Sequence, residues 1–378
     1  MGRNHEMKPS ARKGSAAIAL GLFAVAGAAN AETIQIGIAG PMTGPVTQYG
    51  DMVKEGALTA IEMINAAGGV NGDQLEAVFF DDACEPKQAV AVANNIVSSD
   101  VRFVVGHVCS GSTIPAADIY DNEGIVMITP SATAPALTDD KPRSTIFRTI
   151  GRDDQQGPVA ARYIVEHIKP QTVAVLHDKQ SYGQGIATVV KRDLEAANIP
   201  VAVFEGINAG DSDYSAVITK LKSAGVDFVY YGGYHPEMGL LLRQARELGL
   251  EAGFMGPEGV ANSELVAIAG PASEGMLMTL PADFSQNPAN AEIVKAFQEK
   301  NRDAAGAFQL PAYAAVQIIA EGIAGAGTTD PVAVAEYIHA NTFETPLGPV
   351  SYNEKGDLES FEFVVFRQNS DGSRVPAN

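Results

Sequence analysis

The chain is poor in several things that would each point to a different function. Only two cysteines occur in 378 residues, Cys84 and Cys109, so neither a disulfide-dense scaffold nor a multi-thiol metal cluster is available. Basic residues number 26 against 45 acidic ones, which argues against nucleic acid and anionic membranes as partners. The apolar run over 16–29 is short for a membrane span. No Walker lysine follows the early glycines Gly37, Gly40 and Gly44, so a phosphate loop has no support. The segment Val108-Cys109-Ser110-Gly111-Ser112 is not G-x-S-x-G, so the nucleophile elbow of a hydrolase is missing as well.

What is present begins with an export signal. Arg3, Lys8, Arg12 and Lys13 precede the apolar run, which ends on Ala29-Asn30-Ala31, a small-x-small site for cleavage after Ala31. The residue following the cut is Glu32, not the cysteine of a lipoprotein, so residues 1–31 are expected to leave a free, exported chain. The leader holds four of the basic and one of the acidic residues, leaving 22 against 44 and a formal charge of −22. The remaining 347 residues suffice for two domains.

Short apolar runs alternate with helical patterns through most of this length. IQIGIAG, RFVVGHV, GIVMITP, TVAVLHD and DFVYYGG lack the polar alternation of a half-exposed strand and suit parallel strands covered on both faces. Glu85-Pro86, Asp153-Asp154 and His235-Pro236 open the intervening helices. Strand, helix, strand repeated in this way is doubly wound α/β. An internal echo divides it in two: Tyr49 and Tyr182 each stand in a YG pair after a strand, with an acid thirteen residues on (Glu62, Glu195) and an asparagine sixteen on (Asn65, Asn198). Helices near 288–301, 311–325 and 331–340, then strand-like GPVSYNEKGDL and FEFVVFRQ, suggest a return to the first lobe and more than one crossover.

Ligands of open α/β sheets bind beyond the carboxyl ends of the strands. That rule selects the Ser110 loop, with hydroxyls and N–H groups at a helix start suited to an anion, and TPSATAP over 129–135. It also selects the loop at Tyr234 and the turn holding Glu258, an acid that can face a cation. Tyr49, Tyr182 and Tyr234 at strand ends, with Phe308 ahead of a helix, can wall an apolar pocket. Packing and N-capping are the plainer roles for each of these residues. His107, His177 and His235 lie near strand ends without a paired nucleophile, and Asp81 and Asp82 read as turn and cap residues. For the cysteines, a disulfide and an H-x-C metal site using His107 both remain open on spacing alone.

Assembled in order, GPVTQYGD, DDACEPKQAVAVANNIV, GHVCSGST, ITPSATAP, HDKQSYGQG, FVYYGGYHPEMG and MGPEGVAN resemble the periplasmic branched-chain amino-acid-binding proteins, the solute receptors of ABC importers, over nearly all of the exported chain. The resemblance implies a type I periplasmic binding fold, a monomer without cofactor, metal or catalytic activity, in which two lobes joined by a three-segment hinge close on a free L-amino acid. Lobe 1 would comprise 32–152 and 282–359, lobe 2 153–281 and 360–378. It implies a ligand among leucine, isoleucine and valine, with alanine and threonine as further candidates, delivered to an inner-membrane ABC permease. A sensor of the same fold that regulates a membrane receptor would use the same pocket, and a secreted hydrolase would need the missing nucleophile and base. Carried onto this sequence, Ser110 and Thr133 hold the ligand carboxylate through backbone N–H groups. Glu258, the Ser131 carbonyl and the Thr133 hydroxyl hold its ammonium, and Tyr49, Tyr182, Tyr234 and Phe308 line the side-chain pocket. A Cys84–Cys109 disulfide is implied as well. Ser131 stands where the family often carries alanine, so its hydroxyl is expected to bear on the polarity of the pocket.

Overall fold

The structure is a computed structural model that describes residues 1–7 and 32–377. The export signal expected over 1–31, with its cut after Ala31, falls largely on residues outside the described ones. Residues 32–378 form one compact unit, and no helix among the described residues is long and apolar enough to cross a membrane.

Two sheets organise this unit. The first contains β1 (Thr33–Gly40), β2 (Gln74–Asp81), β3 (Phe103–Val105), β4 (Val126–Thr129) and β5 (Ile146–Arg148), all parallel, in the order β2-β1-β3-β4-β5. Between these strands lie α1 (Thr47–Ala66), α2 (Pro86–Val97), α3 (Ser110–Asn122) and the single turn α4 (Ala136–Asp139). The chain then enters α5 (Asp153–Tyr163) and builds the second sheet. Its parallel strands are β6 (Val173–His177), β7 (Val201–Gly206), β8 (Phe228–Gly232), β9 (Gly253–Gly256) and β10 (Leu277–Pro281), with α6 (Ser181–Ala196), α7 (Ser215–Ser223), α8 (His235–Glu247) and α9 (Ser263–Ala269) between them.

The second sheet begins in the same order, β7-β6-β8-β9-β10, so the two lobes repeat one doubly wound topology, as the alternating runs predict. Strands β3, β6 and β8 are buried at every residue, the physical reason that their sequences show no polar alternation. Edge strands β2 and β7 are partly exposed, and each guards an outward phenylalanine with a lysine from the preceding helix: Lys54 lies 5.7 Å from the Phe79 ring, Lys191 the same distance from Phe204.

After β10 the chain leaves the second sheet for α10 (Ala291–Glu299), α11 (Gln309–Ala326) and α12 (Pro331–Ala340), and α11 packs along α1. A hairpin of β11 (Phe343–Thr345) and β12 (Gly348–Val350) follows. The strand-like reading of GPVSYNEKGDL holds only for its first three residues. Beyond Val350 the Asn353 side chain accepts from the N–H groups of Lys355 and Asp357, and Gly356 takes φ +82°, which together force a turn. The chain ends back on the second sheet, with β13 (Phe363–Gln368) antiparallel to β10 and β14 (Arg374–Pro376) antiparallel to β13.

Candidate functional site

Both sheets change winding direction at one place, between β1 and β3 in the first and between β6 and β8 in the second, and crevices form outside the carboxyl ends of strands at such switch points. A small cavity lies there, lined by Tyr49, Val108, Ser110, Ser131, Tyr182, Tyr234, Glu258, Gly259 and Phe308. Seven of the eight residues singled out from the sequence are in this lining; Thr133 is fully buried beside it.

The first lobe supplies short hydroxyl side chains and a helix start. Ser110 opens α3, and its Oγ accepts from the Ala134 N–H at 3.3 Å. Thr129, the last residue of β4, donates its hydroxyl to the His107 carbonyl and accepts from the Ala132 N–H, which folds the chain back. Beneath the loop, the fully buried Arg148 of β5 donates to the carbonyls of Ala132 and Ala134 and pairs with Asp357 at 2.7 Å. Asp357 also takes Arg152 at 2.7 Å and the Thr138 hydroxyl, so the loop rests on a network of paired ions. The Ser131 hydroxyl donates to the Val108 carbonyl at 2.9 Å, so its proton is engaged by the backbone of the neighbouring loop ahead of α3. Cys84 and Cys109 form a disulfide with Cα atoms 5.6 Å apart, tying β2's exit to the start of α3.

The second lobe supplies the acid. Glu258 begins a 3₁₀ turn directly after β9 and is 2% exposed. Burial drives its carboxyl up to about 7, against opposing contacts with Tyr182, Gln156 and Thr133. Tyr182 and Tyr234 stand at the starts of α6 and α8, with ring centroids 5.2 Å apart. Tyr49 continues this wall from the first lobe, 6.1 Å from Tyr234 and 5.7 Å from Phe308. Its hydroxyl donates to the Gly259 carbonyl at 2.6 Å and lies 3.0 Å from His235 Nδ1, while the Gly259 N–H donates to the Tyr182 hydroxyl at 3.0 Å. Gly259 is thus gripped by one tyrosine from each lobe, and a Cβ there would stand 2.7 Å from the Tyr182 ring.

None of the three histidines near strand ends lines the cavity. His107 is buried between Asp82 at 2.6 Å and Tyr120 at 2.9 Å, His177 accepts from the Lys179 N–H, and His235 touches the site only through Tyr49. Asp81 accepts from the N–H groups of Met42, Thr43 and Ala83, a turn-holding role. No cluster of potential metal ligands occurs among the described residues.

Asp153, Gln156 and Asn262 are not among the site residues that the sequence singles out. All three are fully buried, and both Asp153 carboxyl oxygens, Gln156 Oε1 and Asn262 Nδ2 lack hydrogen-bond partners. Asp153 reads as a helix-opening acid, and only the packing of α5 against the TPSATAP loop, where its N–H donates to the Thr133 carbonyl at 2.9 Å, brings it to the site.

A family model for periplasmic binding proteins matches residues 33–372. The chain is 62% identical over 357 residues to the leucine-, isoleucine-, valine-, threonine- and alanine-binding protein of Pseudomonas aeruginosa, covering 93% of this chain and 95% of that one. It is 51% identical to the Leu/Ile/Val-binding protein of Escherichia coli K12, covering 92% and 94%. Among solved structures, the branched-chain amino acid transporter substrate binding protein LivJ of Streptococcus pneumoniae in complex with isoleucine superposes with a TM-score of 0.81 at 26% identity, covering 92% of this chain and all of that one.

Proposed function

The chain belongs to the periplasmic binding protein family, and on that premise we propose that it is an exported receptor for a free branched-chain L-amino acid. One observation carries the reading. A small buried cavity has hydroxyls and a helix start on one side and a single carboxyl on the other, an aromatic wall between them and no basic side chain in its lining. A zwitterion with an apolar side chain satisfies every part of that arrangement. Backbone N–H groups of Ser110 and Thr133 take the carboxylate; Glu258, the Ser131 carbonyl and the Thr133 hydroxyl take the ammonium. Tyr49, Tyr182, Tyr234 and Phe308 enclose the side chain. Charge-assisted hydrogen bonds of this kind contribute about 1.5–3 kcal/mol each.

The lobes are 32–152 with 282–359 and 153–281 with 360–378, and the chain crosses between them near 152, 281 and 359. A ligand touching both lobes favours the closed form by differential affinity, the signal that an ABC permease reads from a monomeric receptor. The leader is removed after Ala31. The cavity hydroxyls engage backbone groups or the aromatic network and no histidine activates a serine, which supports binding without turnover.

A thermal-shift panel of free amino acids tests the reading, since a bound ligand stabilises by RT ln(1 + [L]/Kd). Leucine, isoleucine and valine are expected to raise the melting temperature most and glutamate least, because no lining cation answers a second carboxylate. A largest shift with glutamate, or no shift with any amino acid, overturns it.

A further inference from the structure

The hydroxyl of Tyr49, near the start of α1, ends between two groups that belong to connections of the second sheet. It donates to the Gly259 carbonyl at 2.6 Å, in the turn after β9, and lies 3.0 Å from Nδ1 of His235, which opens α8. Both side chains are buried, and their rings meet edge to face with centroids 5.5 Å apart. A carbonyl oxygen only accepts, so the phenol's single proton is spent on Gly259. Towards His235 the phenol oxygen is therefore the acceptor, and Nδ1 carries the proton. The bonds then run in one direction, from His235 to Tyr49 to Gly259: out of the second lobe, through the first and back.

Glu264 of α9 stands 3.0 Å from the opposite ring nitrogen, Nε2, and its side chain is 47% exposed. Making that bond together with the Tyr49 bond needs a doubly protonated ring, which burial opposes and Glu264 favours. A ring with one proton keeps it on Nδ1 and leaves the carboxylate to solvent, because an unmade bond costs more where water cannot replace it. Resting on the receptor reading above, we infer that His235 is a positioning residue for ligand capture: its Nδ1–H pins the Tyr49 hydroxyl on the Gly259 carbonyl, so that a wall of the pocket becomes a clasp between the lobes. Gly259 follows Glu258, the acid assigned to the ammonium, and its N–H is held by the Tyr182 hydroxyl at 3.0 Å. Parting the lobes draws the phenol out of this slot and breaks both of its bonds together. Such contacts act on escape of the ligand more than on its entry.

A double-mutant cycle on the whole exported chain tests the clasp, with leucine affinity measured by calorimetry and release of labelled leucine followed by chase. Tyr49→Phe and His235→Leu should each speed release by about two- to tenfold, the worth of one buried neutral hydrogen bond. The double variant should release no faster than Tyr49→Phe alone, because both changes act through one phenol. His235→Asn, close in volume to His235→Leu but with an amide near the place of Nδ1, should restore most of the loss. That rescue separates a bond to the phenol from the filling of space. Nitrogen NMR of the unsubstituted leucine complex, which needs no change at position 235, should show Nδ1 of His235 protonated, with a proton that exchanges faster in Tyr49→Phe. Additive effects in the double variant, His235→Asn releasing ligand as fast as His235→Leu, or an unprotonated Nδ1 each overturn this inference and leave the receptor reading standing. No binding of leucine by the unsubstituted chain overturns the receptor reading and this inference with it.

Discussion

The two lobes share one strand order, one edge device and one placement of tyrosine, yet they meet the ligand cavity with opposite chemistry. In the first, the loop after β4 presents neutral groups, and the charges lie underneath, paired: Arg148 with Asp357, Asp357 with Arg152. In the second, the turn after β9 presents Glu258 itself, with no basic partner. A common scaffold has therefore been given a preorganised neutral cradle on one side and an uncompensated charge on the other. On the proposed reading the comparison teaches where stability and affinity separate: the first lobe's ions would stabilise the fold, and the second lobe's carboxyl would answer the ligand.

The sharpest way to break this contrast is to remove an ion from each side. Asp357→Ala leaves Arg148 buried and unpaired, and deletion of one partner of a buried pair costs about 3–5 kcal/mol; denaturant unfolding should show a loss of that size. An unchanged midpoint would show that the network beneath the loop carries no stability. Glu258→Gln should do the reverse, lowering leucine affinity by about 1.5–3 kcal/mol, one to two orders of magnitude by calorimetry, without destabilising the empty protein. Its effect on the empty fold follows from sign: the Glu258 carboxyl is raised in the folded state, so ligand-free stability falls as pH rises from the unfolded value through about 7. Glu258→Gln should remove that part of the slope. The smallest effect is expected from Tyr49→Phe, which keeps the aromatic wall but deletes the bond to Gly259 across the lobes. A loss of about 0.5–1.5 kcal/mol in binding is expected, and no loss would show that Tyr49 serves only as a wall.

Most of the lobes' architecture was legible because buried parallel strands leave unbroken apolar runs. The three-residue strands β5 and β11 were not, since neither sits within a longer apolar run. At the site, residues at strand ends could be picked out because topology alone places them there. Asp153 could not: its position depends on α5 packing against a loop twenty residues earlier, a contact with no sequence pattern. Nor could the bond from the Ser131 hydroxyl to the Val108 carbonyl, which joins the loop after β4 to the loop ahead of α3. The echo between Tyr49 and Tyr182 extends to their common grip on Gly259, but its later members diverge. Asn65 bonds both backbone groups of Leu75, whereas Asn198 takes φ +62° in a turn.

The bond from the Asp153 N–H to the Thr133 carbonyl joins the gripping loop to the first passage of the chain between the sheets. On the proposed lobe boundaries such a joint would act as a fulcrum. A rotation of one lobe about it would sweep the outer rims through a wide arc while scarcely moving the Thr133 carbonyl. The half-site on the first lobe would then keep its shape in the open receptor, ready for the first encounter, while the distant rims report the occupied state to whatever docks on them.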